Sequence, residues 1–278
     1  MRLVAVRSDP DGAAVGIHAD CQSVERSFGG LHAMGPISLQ LRRGEFLSLI
    51  GPSGCGKTTF MDVLGGLLPP TRGRVLFEGK EVANKVPDGI GAVFQEDATL
   101  PWLNVWDNVA FGLRHAGADA VEIRRRVDDA LAFMGLKDFA RAFPSQLSGG
   151  MRQRTCIART LVLRPRLILL DEPFAALDAQ TRLLMGDELL RLWRETGATV
   201  VLITHALEEA AMLSDRVGAM SARPGRLIEM IETGWPRDRD SRILAGKDFG
   251  VVSSRLWSIL REESLKAMAH SGRLYSEP

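Results

Sequence analysis

The feature that most constrains this chain is Phe46–Ile50, an unbroken apolar run, FLSLI, that leads directly into Gly51-Pro52-Ser53-Gly54-Cys55-Gly56-Lys57-Thr58. A short continuous run of this kind suits a strand buried on both faces, and such strands belong to parallel sheets covered by helices. The glycines after it let backbone N–H groups curve around an anion. A helix opening near Lys57 aims its positive dipole end at the same point, and the Lys57 ammonium adds a full charge. At ordinary residue frequencies G-x-x-x-x-G-K-[ST] turns up by chance in about one chain in a hundred of this length. Here a strand precedes it and a helical pattern follows, the context in which the pattern binds nucleotide phosphates, with the Thr58 hydroxyl available to Mg²⁺.

Alternation of strands and helices continues along the chain. Ile17, Ala19 and Cys21 alternate, as do Ile37, Leu39 and Leu41, and short apolar runs recur at Arg74–Phe77, Gly91–Phe94, Leu167–Leu170 and Thr199–Ile203. Between them Ile123, Val127, Leu131 and Met134 share one face of a helix. This is an α/β layout. The interval from about 98 to 147 offers no convincing strand and is expected to be a helical lobe inserted in a sheet-based core. Residues 1–15 are expected to form a loose leader. From about 236 the spacing of Val252, Leu256, Ile259 and Leu260 predicts a tail helix docked on the core. Neither an internal repeat nor a Gly/Ser linker divides the chain, so one domain with two lobes is expected.

Composition excludes several classes. With 35 Lys+Arg against 34 Asp+Glu among 278 residues, the formal net charge is +1. There is no excess of basic residues to recommend a nucleic-acid partner. No apolar run approaches the roughly 20 residues that cross a bilayer. The N-terminal MRLVAVRSDPDG lacks the apolar core of a secretory signal, which points to the cytoplasm. Cys21, Cys55 and Cys156 are widely spaced and odd in number, which fits neither a disulfide framework nor a zinc site.

Two further segments carry chemistry. Leu167-Ile168-Leu169-Leu170-Asp171-Glu172 is an apolar strand ending in two acids, and α/β ligands bind at the carboxyl ends of such strands. Asp171 can serve a magnesium shell and Glu172 can polarise a water. Leu147-Ser148-Gly149-Gly150-Met151 precedes a helical pattern, placing Ser148 and the glycines at a helix N-terminus, either as a second anion-binding element or as a plain cap.

Together the phosphate loop, Gln95, Leu147–Met151, Leu167–Glu172, Ala176-Leu177-Asp178 and His205 resemble, in order and spacing, the ATPase subunit of an ABC transporter, over about residues 16–235. The resemblance implies an α/β P-loop NTPase cassette with a RecA-like core, an antiparallel β subdomain and a helical subdomain inserted at about 98–158, followed by a helical tail over 236–278. It implies ATP and Mg²⁺ as the cofactors. Gly51, Pro52, Ser53, Gly54, Cys55, Gly56, Lys57, Thr58 and Thr59 would wrap the phosphates, with Lys57 on the β- and γ-phosphates and Thr58 on Mg²⁺. Gln95 would touch Mg²⁺ and the attacking water, Glu172 would be the general base, Asp171 would stand in the magnesium shell, and His205 would be the switch histidine. Ser148, Gly149 and Gly150 would act in trans on nucleotide held by a second subunit, with Asp178 at that interface. Phe28 lies where this family puts an aromatic on adenine, although a core or turn Phe would look the same.

Met151 departs from the general family pattern, which has Gln there. A Met at this place resembles the nitrate/sulfonate/taurine-type importers, as do Phe94–Val109, Glu172–Arg182 and Met220–Arg226. The implied partners are a second copy of the chain or a paralogous cassette, a transmembrane permease on whose cytoplasmic face the pair would sit, and, indirectly, a substrate-binding protein, with no nucleic acid. Trp102 and Trp106 are either anchors for a short helix of the membrane subunit or packed inside the helical lobe. Cys55 is either a small residue that fits the loop or, close to a helix N-terminus, a thiolate open to alkylation. Nitrate, sulfonates, taurine and vitamin precursors are all open as cargo.

Overall fold

The computed structural model describes residues 16–274 apart from 84, 96 and 97, and side chains as far as 268; the leader expected over 1–15 lies outside the described residues. The central sheet has six strands in the order β10 (Leu227–Glu232), β9 (Arg216–Met220), β3 (Phe46–Ile50), β8 (Thr199–Ile203), β7 (Leu167–Asp171) and β6 (Ile90–Val93). All neighbours pair in parallel except β10 on β9. Every residue of β3, β7 and β8 is buried. Period-two alternation distributes them between two cores, because successive side chains of a strand point to opposite faces. Phe46, Ile50, Ile168, Leu170, Val200 and Leu202 face one core, while Leu47, Leu49, Leu167, Leu169, Val201 and Ile203 face the other.

The second core is closed by α1 (Lys57–Leu64), through Phe60, Met61, Val63 and Leu64, and by an antiparallel sheet in the order β2 (Leu31–Arg42), β1 (Ile17–Phe28), β4 (Arg72–Phe77) and β5 (Lys80–Glu81). On β2 buried Ile37, Leu39 and Leu41 alternate with exposed neighbours, the pattern of a strand with one wet face. The first core is covered by α4 (Gly149–Leu161), α5 (Ala179–Thr196), α6 (Leu207–Leu213) and, further out, α2 (Val105–His115) and α3 (Ala120–Phe133).

Among the described residues no strand forms between β6 and β7; α2, α3 and α4 occupy that interval. Ile123, Val127, Leu131 and Met134 are buried as their spacing predicts. Asn104 and Asp119 cap α2 and α3 by accepting backbone N–H groups of the first turn, which satisfies donors a helix start leaves open. Asn108, fully buried, accepts the Leu100 N–H at 2.8 Å and donates to the carbonyls of Leu100, Leu103 and Asn104. This knot fixes the segment that displays Trp102.

The tail helix α7 (Lys247–Leu274) docks on α6 and on a short 3-10 turn at Ser241–Ala245 through Phe249 and Leu256. It is joined to the core by a cluster around Trp193 on α5. That ring is fully buried, meets Phe46 edge-on at 5.9 Å, and its Nε1–H donates to the Gly44 carbonyl at 3.1 Å. The guanidinium groups of Arg237 and Arg239 lie 4.2 and 4.7 Å from its centroid. Arg239, itself 2% exposed, is neutralised by Asp215 at 2.8 Å. Trp193→Ala is expected to cost about 3–5 kcal/mol of unfolding free energy, read from the urea midpoint of the full chain. A loss under about 1 kcal/mol would show that the cluster does not anchor the tail.

Candidate nucleotide site

The turn between β3 and α1 is held open by its glycines. Gly56, at φ 108°, caps α1, and a Cβ there would meet the Ala33 carbonyl oxygen and the Met34 side chain at 2.9 Å. Both the backbone conformation and the space therefore require glycine. Lys57 is 7% exposed and its ammonium donates to the carbonyls of Gly51 at 2.8 Å and Pro52 at 3.0 Å. The loop thus forms a ring with the cation at its centre, next to the N-terminus of α1, a ready site for phosphate oxygens.

Four strand ends converge beside this ring. Thr58 donates its hydroxyl to Oδ2 of Asp171 at 2.7 Å, joining the start of α1 to the end of β7. Asp171 is 2% exposed, and its Oδ1 is buried without a hydrogen-bond partner. Burial, reinforced by the charge of Glu172, pushes this carboxyl above its usual range, while the Thr58 hydroxyl and Lys57 pull it down. An unsatisfied carboxylate oxygen next to a hydroxyl is a hard-oxygen donor set that fits Mg²⁺ arriving with phosphates.

Glu172 follows β7 in a left-handed conformation, φ 47°, with its N–H donated to the Ile203 carbonyl at 2.8 Å. A non-glycine residue held there costs on the order of 1–3 kcal/mol, strain that collects at functional sites. Its Oε2 accepts from Gln95 Nε2 at 3.2 Å and lies 3.2 Å from Nδ1 of His205. Gln95 stands two residues past β6, and His205 two past β8. Three loops after three neighbouring strands thereby meet on one carboxylate oxygen.

Ser148, Gly149, Gly150 and Asp178 form a separate group. Ser148 caps α4 and accepts the Met151 N–H at 3.3 Å. Asp178 caps α5, accepting the Thr181 N–H at 2.9 Å and hydroxyl at 2.6 Å, and these bonds hold its carboxyl below the usual range. The two helix starts touch: a Cβ on Gly150 would lie 2.6 Å from Leu177. Their capping bonds stay within their own first turns.

Phe28 ends β1, is 43% exposed and has the Arg26 guanidinium 4.6 Å over its ring, which rules out a core role. Trp102 and Trp106 divide: Trp102 is 69% exposed, while Trp106 packs on the first core and donates to Asp128 at 2.9 Å. Of the two readings of Cys55, the small residue that fits the loop agrees with its burial. Its side chain is 1% exposed, and burial raises the thiol pKa against the pull of Lys57.

Sequence reasoning passed over two groups that border the site. Residues 221–226 wedge against the phosphate loop: a Cβ on Gly225 would fall 2.1 Å from the Cys55 carbonyl oxygen, and Arg223 donates to the Gly54 carbonyl at 3.2 Å. Glu209, on α6, is 8% exposed and accepts the Thr204 hydroxyl at 3.1 Å. The signal for Glu209 was an acid at the opening of the helix after His205; for Arg223 it was the likeness of Met220–Arg226 to the importer subfamily, which does not reveal a contact between distant segments.

The ABC transporter family profile matches residues 34–175. The chain is 44% identical over 239 residues to an uncharacterized ABC transporter ATP-binding protein of Methanocaldococcus jannaschii, covering 85% of this chain and 87% of that one. It is 42% identical over 227 residues to the taurine import ATP-binding protein TauB of Shigella boydii, covering 82% and 87%. Among solved structures, a dimeric bacterial ABC transporter cassette superposes with a TM-score of 0.71 at 32% identity, covering 77% of this chain and 98% of that one. Another dimeric cassette, in a post-hydrolysis state bound to ADP and Pi, gives 0.70 at 32% identity and the same coverage. Phosphate loop, converging strand ends and relatedness over most of both chains agree, and the protein belongs to the ABC transporter family as an ATP-binding subunit.

Proposed function

We propose that this chain hydrolyses ATP to drive an importer of the taurine, sulfonate or nitrate type, working as a head-to-tail pair on the cytoplasmic face of a permease. The observation that carries the hydrolytic part is the meeting of Gln95 and His205 on Oε2 of Glu172. That arrangement orients one carboxylate and leaves Oε1 to accept a proton from water. The cargo class is suggested by the likeness to taurine import subunits and by Met151 with the segments around it.

In this reading Gly51–Thr59 cradle the triphosphate and Lys57 neutralises the β- and γ-phosphates. Phe28, exposed at the tip of the β1–β2 hairpin, offers its ring to adenine. Thr58, Gln95 and Asp171 would hold Mg²⁺, which when bound supplies charge neutralisation on the phosphate oxygens. Glu172 takes the proton of the attacking water, and His205 holds both Glu172 and the γ-phosphate in place. Ser148, Gly149 and Gly150 present a helix N-terminus with no phosphate loop of its own chain on it, so their use requires the nucleotide of a second subunit, with Asp178 beside them at the interface. Electrostatic stabilisation by Lys57 and the opposing helix end supplies most of the rate, and Glu172 supplies alignment. Trp102 and the ordered segment around it form the surface offered to a short helix of the permease, and a binding protein would deliver the cargo from the other side.

The experiment is turnover of Mg-ATP together with oligomer mass in ATP, for wild type and Glu172→Gln. The variant is expected to lose at least about 100-fold in kcat and to accumulate as an ATP-bound dimer by light scattering. Turnover like wild type would remove Glu172 from the role of base.

A further inference from the structure

Glu209 joins α6 to the turn that carries His205. Its Oε2 accepts the Thr204 hydroxyl at 3.1 Å, and the same hydroxyl oxygen accepts the Ala206 N–H at 3.0 Å. The residues on either side of His205 are thus tied to one carboxyl. Its other oxygen, Oε1, is buried without a hydrogen-bond partner.

Arg182, in the first turns of α5, is tied in the same way to the other turn of the site. It donates from its guanidinium to the Leu177 carbonyl at 3.1 Å and from its backbone to the Asp178 carbonyl at 2.9 Å. Its Nε is also buried without a partner. A buried acceptor and a buried donor, both unsatisfied, therefore belong to two residues of opposite charge on helices that pack together, since a Cβ on Gly186, a turn after Arg182, would lie 2.7 Å from the side chain of Met212, a turn after Glu209. Orphaned groups of this kind are rare in folded proteins and call for an explanation.

We propose that Glu209 is a positioning residue that couples the Asp178 turn to the His205 turn, through an ion pair with Arg182 on one side and the Thr204 hydroxyl on the other. This rests on the roles of Asp178 and His205 in the proposed function. Movement of either turn closes the Glu209–Arg182 pair and fixes the other, so the interface that receives the second subunit is sensed by the histidine beside the general base.

The carboxyl is also placed to ionise at working pH. Burial pushes it up to about 7, reinforced by the charge of Glu172 at the end of β7, while the Thr204 hydroxyl and Arg182 on α5 pull it down. Glu208 is its acidic neighbour on α6 itself. Only the carboxylate can form the pair. Because its pKa is raised on folding, ionisation weakens the fold as pH rises through about 7. Glu209→Gln removes that cost, so its melting temperature at pH 8 should not fall below that of wild type.

The test is steady-state ATPase activity of the full chain at pH 6, 7 and 8 for wild type, Glu209→Gln, Arg182→Gln and the double variant, with Glu172→Gln alongside. Expected is a Glu209→Gln kcat within about twofold of wild type at pH 6 and about fivefold below it at pH 8, KM for ATP staying within about twofold. Arg182→Gln should show the same loss at pH 8, and the double variant no more than either, as members of one coupled pair do. A wild-type to Glu209→Gln ratio that is flat with pH, losses that add, or a change in KM in place of kcat would overturn the coupling. Absence of Glu172-dependent hydrolysis in wild type would overturn the proposed function and this inference together.

Discussion

A strand buried on both faces has no side to give to water, and β3, β7 and β8 are buried at every residue. Such strands need cover above and below, and their parallel order demands a long crossover between each pair. The crossovers supply α1 with β4 and β5 on one face and α4, α5 and α6 on the other, and β1 and β2, ahead of β3, complete the antiparallel sheet. Parallel order also brings the carboxyl ends of the strands to one edge, where a ligand can reach the loops of several strands at once. Gly51, Glu172 and the Thr204-His205 pair all leave their strands at that edge. The packing requirement and the location of the chemistry are one constraint.

The site then divides by what the chain can complete alone. Across the sheet edge Thr58 bonds to Asp171 while Gln95 and His205 meet on Glu172, and Lys57 is held by the carbonyls of its own loop. Among the described residues, the side chains of Ser148 and Asp178 bond to the first turns of their own helices. In the proposed function a phosphate loop without an opposing helix end, and a helix end without a phosphate loop, would be complementary halves. A two-fold pair would satisfy both at once.

Much of this was legible in the sequence because it is local. FLSLI, LILL and TVVLI are apolar but for Ser48 and Thr199, and the glycine pattern after the first fixes the turn, so strands, loop and helix could be read together. Gln95, Glu172 and His205 could be read as strand-end residues with family counterparts, although their meeting on one oxygen needs the sheet order. What sequence missed depends on contacts between distant segments. β9 and β10 carry a glycine and half-buried positions at the sheet edge, so their pattern is weak, and β5 has only two residues. The Cys55 thiol was read from its neighbours in sequence, whereas its environment is set by burial. Trp102 and Trp106 look alike in the chain and differ because Trp106 finds Asp128 and the α2 core while Trp102 stands on the loop that Asn108 ties down. Arg223 lies in a segment marked only by its likeness to the importer subfamily, and Glu209 in one with no motif, so neither contact with the site could be read from the chain.

Completion of each site by two chains is tested most directly by mixing two inactive proteins. Lys57→Ala destroys the phosphate loop and leaves the Ser148 helix end intact; Ser148→Arg does the reverse. A mixed pair contains one site with both defects and one with neither. Equal mixing should therefore restore about a quarter of wild-type ATPase activity, since half the pairs are mixed and each has one of its two sites intact. No recovery on mixing, or substantial activity in either variant alone, would contradict a site shared between two chains.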